Sequence, residues 1–167
     1  IWAEHRPNGL YSMIQTANAL RENGITDVIL VPVLESGGAE LVALWHYRAA
    51  VAAGRKPVLI LTDKEALTPR FEAENLTIIN IPQIVTAQSG RDYDSFSVAQ
   101  RAGFVTAVIE ALTPRTLHLI HAFAAYQALK NRELASRLRA VCGQIYVSAF
   151  CPHVHSDGRI DGYFRDI

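Results

Sequence analysis

Five short apolar runs, separated by stretches in which apolar residues recur every three or four positions, set the frame of this chain. The first run, Asp27 to Val33, is rich in β-branched residues and nearly continuous in its apolarity, as in a strand covered on both faces. It breaks at Glu35-Ser36-Gly37-Gly38, becomes a helical pattern from Ala39 to Ala53, stops at Gly54, and resumes as a second run, Pro57 to Thr62. Strand, glycine turn, helix and strand make a βαβ unit, whose crossover is nearly always right-handed. Before it, Leu10, Met13, Ile14, Ala17 and Leu20 predict a helix over Leu10 to Arg21, stopped at Asn23-Gly24.

After the unit comes a third strand, Leu76 to Ile81, closed by Pro82. The polar, turn-rich stretch from Thr86 to Ser95 reads as a surface loop, and a helix from Phe96 to Leu112 ends at Thr113-Pro114. A fourth strand, Thr116 to His121, a helix from about Phe123 to Leu138, and a fifth strand, Gln144 to Phe150, complete the pattern. Such alternation predicts an α/β fold: a Rossmann-like three-layer sandwich with helices on both faces of a parallel sheet of about five strands, most simply in the order 3-2-1-4-5. Residues 1 to 167 read as a single domain, with no repeat, low-complexity tract or internal linker.

Composition narrows the classes. With 50% hydrophobic and 19% charged residues, the chain has the balance of a globular domain with a sizeable core. Sixteen basic residues cancel sixteen acidic ones without a block of like charge, so a nucleic-acid partner is not expected. Cys142 and Cys151 are too few for a disulfide framework and lie in or beside apolar runs, which suits buried thiols and a reducing compartment. No apolar run approaches the roughly 20 residues that span a bilayer, and the first residues lack a signal pattern, so a cytoplasmic protein without a transmembrane segment is expected. A start at Ile1 and an end just after Gly-Tyr-Phe-Arg suggest a piece of something longer.

Ligands of open α/β sheets gather at the carboxyl ends of the strands. Gly37-Gly38 stands there, permitting backbone angles or close approaches that a Cβ would resist, and the following helix start offers free N–H groups to an anion. Two glycines also suffice for a tight strand-to-helix turn. His121 stands where the fourth strand stops, able to donate to a sugar hydroxyl or exchange a proton near neutral pH. His118 points to the other face and reads as a hydrogen-bonded structural histidine. Asp63 follows the second strand, but the full G-x-G-x-x-G pattern is absent, so it reads as a helix cap. His153, His155 and Asp157, spaced two apart, would share one side of an extended segment and hold a metal with a further ligand. Pro152 and Asp157-Gly158 make a solvated turn the simpler reading of the segment. No nucleophile elbow, Walker loop, His-Glu-x-x-His or Cys-x-x-Cys is present, which leaves a self-contained hydrolase or P-loop ATPase without support.

The segments VILVPVLESGGAELVALWHYRAAVAAGRKPVLILTD and LHLIHAFAAYQALK resemble the N-terminal domain of retaining glycosyltransferases of the GT-B fold, the large family 4 (group 1). The likeness covers much of Asp27 to Asp63 and Leu117 to Lys130, and Gly-Gly-Ala-Glu is its more specific part. It implies a hexosyltransferase in which two Rossmann-like domains face a cleft. The N-terminal domain mainly holds the carbohydrate or glycan acceptor, and the C-terminal one the nucleotide-sugar donor. Gly37 and Gly38 would then bind substrate at the reaction centre, near the donor's diphosphate or the acceptor. His121 would be the catalytic residue that touches the transferred sugar, orienting it and stabilising the transition state, with no metal and no cofactor beyond the nucleotide-sugar substrate.

Two features depart from that pattern. The paired glutamates and basic residues that grip the donor belong to the C-terminal domain, so this chain is not expected to transfer sugar alone. The helix Leu10 to Arg21 also precedes the strand that usually opens the domain. Without its partner domain the chain is expected to expose an apolar patch and self-associate. The alternative is a stand-alone flavodoxin-like or Rossmann-like module that binds a small ligand or a protein without catalysis.

Overall fold

The computed structural model describes residues 8–35, 37–65, 67–72, 74–148, 153–154 and 160–161. In chain order the elements are α1 (Asn8–Glu22), β1 (Asp27–Val31), α2 (Gly38–Ala52), β2 (Pro57–Leu61), the one-turn α3 (Pro69–Glu72), β3 (Ile78–Asn80), α4 (Ile81–Ser89), α5 (Val98–Leu112), β4 (Thr116–Ile120), α6 (Phe123–Lys130), α7 (Arg132–Val141) and β5 (Gln144–Ser148). A two-residue antiparallel pair follows, β6 (His153–Val154) with β7 (Ile160–Asp161). β1 to β5 form one all-parallel sheet in the order β3-β2-β1-β4-β5, as the alternation predicts.

The two faces are covered unequally. On one, α1, α4, α5, α6 and α7 bury Val28, Leu30, Val58, Ile60, Leu117 and Leu119. On the other, α2 and α3 cover Ile29, Val31, Leu59, Leu61 and Ile120 with Ala43, Leu44, Tyr47 and Phe71. Every residue of β1 and β2 is buried, which accounts for their near-continuous apolarity, Asp27 apart. The edge strand β5 instead buries none of its residues fully, and Tyr146 stands half exposed on the α2 side.

Several boundaries differ from the sequence reading, each for a local reason. The expected loop from Thr86 to Ser95 is largely helix: α4 runs to Ser89, and Tyr93–Ser95 forms a 3-10 turn. Pro82 does not close β3 but sits in the first turn of α4, where its fixed φ suits a helix and its missing N–H costs nothing. Asn80 caps that turn by accepting from the Gln83 N–H at 3.1 Å. The single helix expected from Phe123 to Leu138 is two, broken at Asn131, whose side chain accepts from the N–H groups of Glu133 and Leu134. Ser97 and Gln100 form a reciprocal capping box that starts α5 at Val98 rather than Phe96. β5 ends at Ser148, and Phe150 and Cys151 lie outside the described residues. Cys142 is half-buried, and burial pushes its thiol up to about 11, which makes it a poor nucleophile.

Close packing brings the loop before β4 against Gly143, where a Cβ would lie 2.7 Å from the Arg115 carbonyl oxygen. Backbone cannot retreat as a side chain can. Gly143→Ala is expected to cost about 1–3 kcal/mol, read as a lower urea midpoint with an unchanged slope.

His118 meets its structural reading: its Nε2 lies 2.6 Å from the Ser148 hydroxyl, under the ring of His46. Burial, and secondarily the His46 imidazole, hold it down to about 4. Between that value and the ordinary 6.5 the unfolded chain binds the proton that the folded chain refuses, so stability rises with pH across this window and is lost as pH falls through it. His118→Phe is expected to flatten that dependence, measured as Tm against pH from 4 to 6.5.

Candidate functional site

The sheet order changes direction between β1 and β4, so the loops leaving these neighbours go to opposite faces and open a crevice at their carboxyl ends. The chain after β1 leads through Gly37 into α2, and the chain after β4 leads through His121 into α6. Two segments more than eighty residues apart in sequence thus reach one edge.

His121 carries the clearest mark. Its φ is +53°, one of three positive values at non-glycine residues among the described ones. The left-handed region costs an L-residue roughly 1–2 kcal/mol, and such positions concentrate at functional sites. Burial pulls the His121 imidazole below its ordinary range, and the Glu40 carboxylate partly restores it. The imidazole is therefore mainly neutral at pH 7, with an acidic neighbour. The His121 backbone amide donates to the Tyr126 hydroxyl, which itself donates to the Ser148 carbonyl at 2.9 Å, tying the turn to β5.

Gly37 meets one half of its sequence reading, the close approach, and not the other. Its φ of −128° is open to any residue, and Gly38 has no positive φ either, so no special backbone angle calls for the pair. What Gly37 supplies is room: the Glu40 carboxylate folds back over it into the space a Cβ would fill, while Gly38 faces open space. Glu40 is buried in the first turn of α2, which has no side-chain cap from Gly37. The helix start expected to attract an anionic ligand thus already holds an anion of the chain's own. Gly37→Ala is expected to displace the carboxylate while changing stability by less than about 1 kcal/mol, because only the end of a flexible side chain must move. The checking measurement is an NMR titration of His121, whose imidazole should titrate lower once Glu40 has moved.

Asp63 is a cap, as read, but of a distant helix. Its carboxylate accepts from the Thr62 hydroxyl at 2.7 Å and from the backbone amides of Phe123 and Ala124 at the start of α6. Burial pushes its carboxyl up, against the lowering effect of those donors. Its own N–H donates to the Pro32 carbonyl at 3.0 Å, so one residue pins the ends of β1, β2 and β4 together. Tyr93 donates to the Thr62 carbonyl at 2.9 Å from behind, and Arg101 lies over the Tyr93 ring at 5.6 Å.

The structure therefore brings Gly37, Glu40 and His121 to one crevice and supports it with Asp63 and Tyr126. Glu40 escaped the sequence reading although Gly-Gly-Ala-Glu places it at the third helical position, from which a glutamate reaches back over the cap. Tyr126 had no such signal. Such a site can offer a carboxylate acceptor and a neutral imidazole to hydroxyl groups; it is poorly built for a phosphate at the α2 start. His153 lies in β6, whereas His155 and Asp157 lie outside the described residues. Among the described residues no three His, Cys, Asp or Glu side chains cluster closely enough to hold a metal, and no helix is long and apolar enough to cross a membrane. Comparison with protein-family models, curated proteins and solved structures found no match in any of the three.

Proposed function

We propose that this chain is the N-terminal, acceptor-side domain of a retaining GT-B glycosyltransferase, which moves a sugar from a nucleotide-sugar to a carbohydrate or glycan acceptor. The observation that carries the reading is His121, held at φ +53° at the end of β4 in the electrostatic reach of Glu40. A fold tolerates such a residue where the position of its ring matters more than the local cost. Sugar hydroxyls both donate and accept. Glu40 accepts from one while the neutral imidazole of His121 takes or gives a hydrogen bond at another, and both hold the sugar as positive charge develops on its ring. The nucleotide diphosphate is assigned to a second domain, because the Glu40 carboxylate already fills the space at the start of α2. Transfer requires that domain, and these residues alone orient and stabilise rather than turn over.

The test uses the natural full-length protein, offered UDP-, GDP- and ADP-sugars with simple glycan acceptors. Nucleoside diphosphate should be released only when donor and acceptor are both present, and the product's anomeric proton should show the donor's configuration. Binding of a sugar or another small ligand with no turnover across the panel would instead establish the flavodoxin-like binding module.

A further inference from the structure

A second opening lies on the α2 side of the sheet, centred on the amino ends of β4 and β5. A groove of about 480 Å³ runs beside α2 over β4 and β5, from the amino ends of the strands to Ser148 at the end of β5. That volume falls within the roughly 300–1,000 Å³ typical of small-molecule sites. Its floor is unlike that of a buried parallel sheet. Thr116, His118, Gln144, Tyr146 and Ser148 face the groove, whereas Leu117 and Leu119 on the other face of β4 are buried in the core and Ile145 packs against it. A covering helix would need apolar partners there; this floor presents donors and rings.

The two ends of the groove differ chemically. At the strand starts, the buried Asp27 carboxylate accepts from Arg55 at 2.7 Å and from the hydroxyls of Thr26 and Thr116. Its charge is thereby matched, and the exposed Arg115 guanidinium, which makes no ion pair among the described residues, leaves this end net positive. At mid-sheet stand three rings. His46 meets His118 edge-on with centroids 4.4 Å apart, and Tyr146 lies 6.1 Å from His118 with half its surface open. Thr116 and His118 are two residues apart on β4, which separates the charged and aromatic ends by about 7 Å.

We propose that this groove is a second ligand site, taking a planar ring joined to an anionic group about 7 Å away, the class of nucleoside monophosphates. The ring packs against Tyr146 and His46, and the anion meets the guanidinium fork of Arg115, whose planar donors match phosphate oxygens. His118 stays uncharged near pH 7, which keeps the aromatic end from competing for the anion. The proposal is independent of the function assigned to the crevice at the carboxyl ends.

Isothermal titration calorimetry with adenosine 5′-monophosphate as probe tests it, with adenosine and inorganic phosphate as half-ligands. The expected result is saturable binding that Arg115→Ala and Tyr146→Ala each weaken at least about tenfold, a loss of about 1.4 kcal/mol. Adenosine and phosphate should each bind weaker by a similar factor, and His121→Ala should bind as the parent does. Both side chains are exposed, so far-UV circular dichroism should show the two groove variants folded. Absence of saturable heat at millimolar probe would overturn the proposal, as would an affinity untouched by both groove substitutions. Loss of binding in His121→Ala would overturn it too, by locating the nucleotide at the other crevice.

Discussion

Asp27→Ala is expected to lower the unfolding free energy by about 2–3 kcal/mol, a large loss for a single polar group. The carboxylate is buried at the first residue of the central strand, between β2 and β4. Alanine leaves the hydroxyls of Thr26 and Thr116 and the guanidinium of Arg55 without their common acceptor. A fully buried pair broken on one side costs about 3–5 kcal/mol, but the Arg55 side chain is 39% exposed and regains water, which sets the lower figure. Arg55→Ala should accordingly cost less than Asp27→Ala, since Asp27 keeps both hydroxyls. Urea unfolding of both variants measures the difference; equal losses would show that the guanidinium, not the set of hydroxyls, dominates.

On the proposed glycosyltransferase reading, His121→Ala in the full-length protein is expected to reduce sugar transfer by about 10²–10³-fold while barely changing stability, the loss typical of one group removed from a preorganised site. The backbone supplies the control. At φ +53° alanine retains the left-handed penalty that glycine escapes, so His121→Gly should be more stable than His121→Ala by about 1 kcal/mol, with transfer equally lost. A stability order of Ala above Gly would show that the turn is not held in the left-handed region. Wild-type turnover by either variant would remove His121 from the reaction.

The sheet order was legible because each strand is a separate apolar run and each crossover a separate amphipathic stretch, and few topologies satisfy both. Interruptions were harder to read. Pro82 after an apolar run ends a strand and begins a helix with the same local signature, and only its position after the capping Asn80 separates the two. Asn131 splits one periodic stretch into two helices without a glycine or proline to mark the break. At the candidate site, the end-of-strand position of His121 was visible, whereas its positive φ, at a residue type that rarely adopts it, was not. Asp63 shows the same limit from the other side. A capping residue is recognisable by type, but its helix begins sixty residues later, and no local pattern connects them.

The unequal covering of the sheet also sets the order in which the chain opens. Among the described residues β5 has one neighbour, a bare flank and half-exposed side chains, so its amides should exchange with solvent through local excursions that leave the rest of the sheet intact. β1, buried throughout and paired on both edges, releases its protons only when the whole domain unfolds. Tyr126 donates to Ser148 at the end of β5 while its hydroxyl accepts from His121. Each excursion of the edge strand therefore loosens the turn that carries the histidine, and the least protected strand becomes the one that sets how long the site stays assembled.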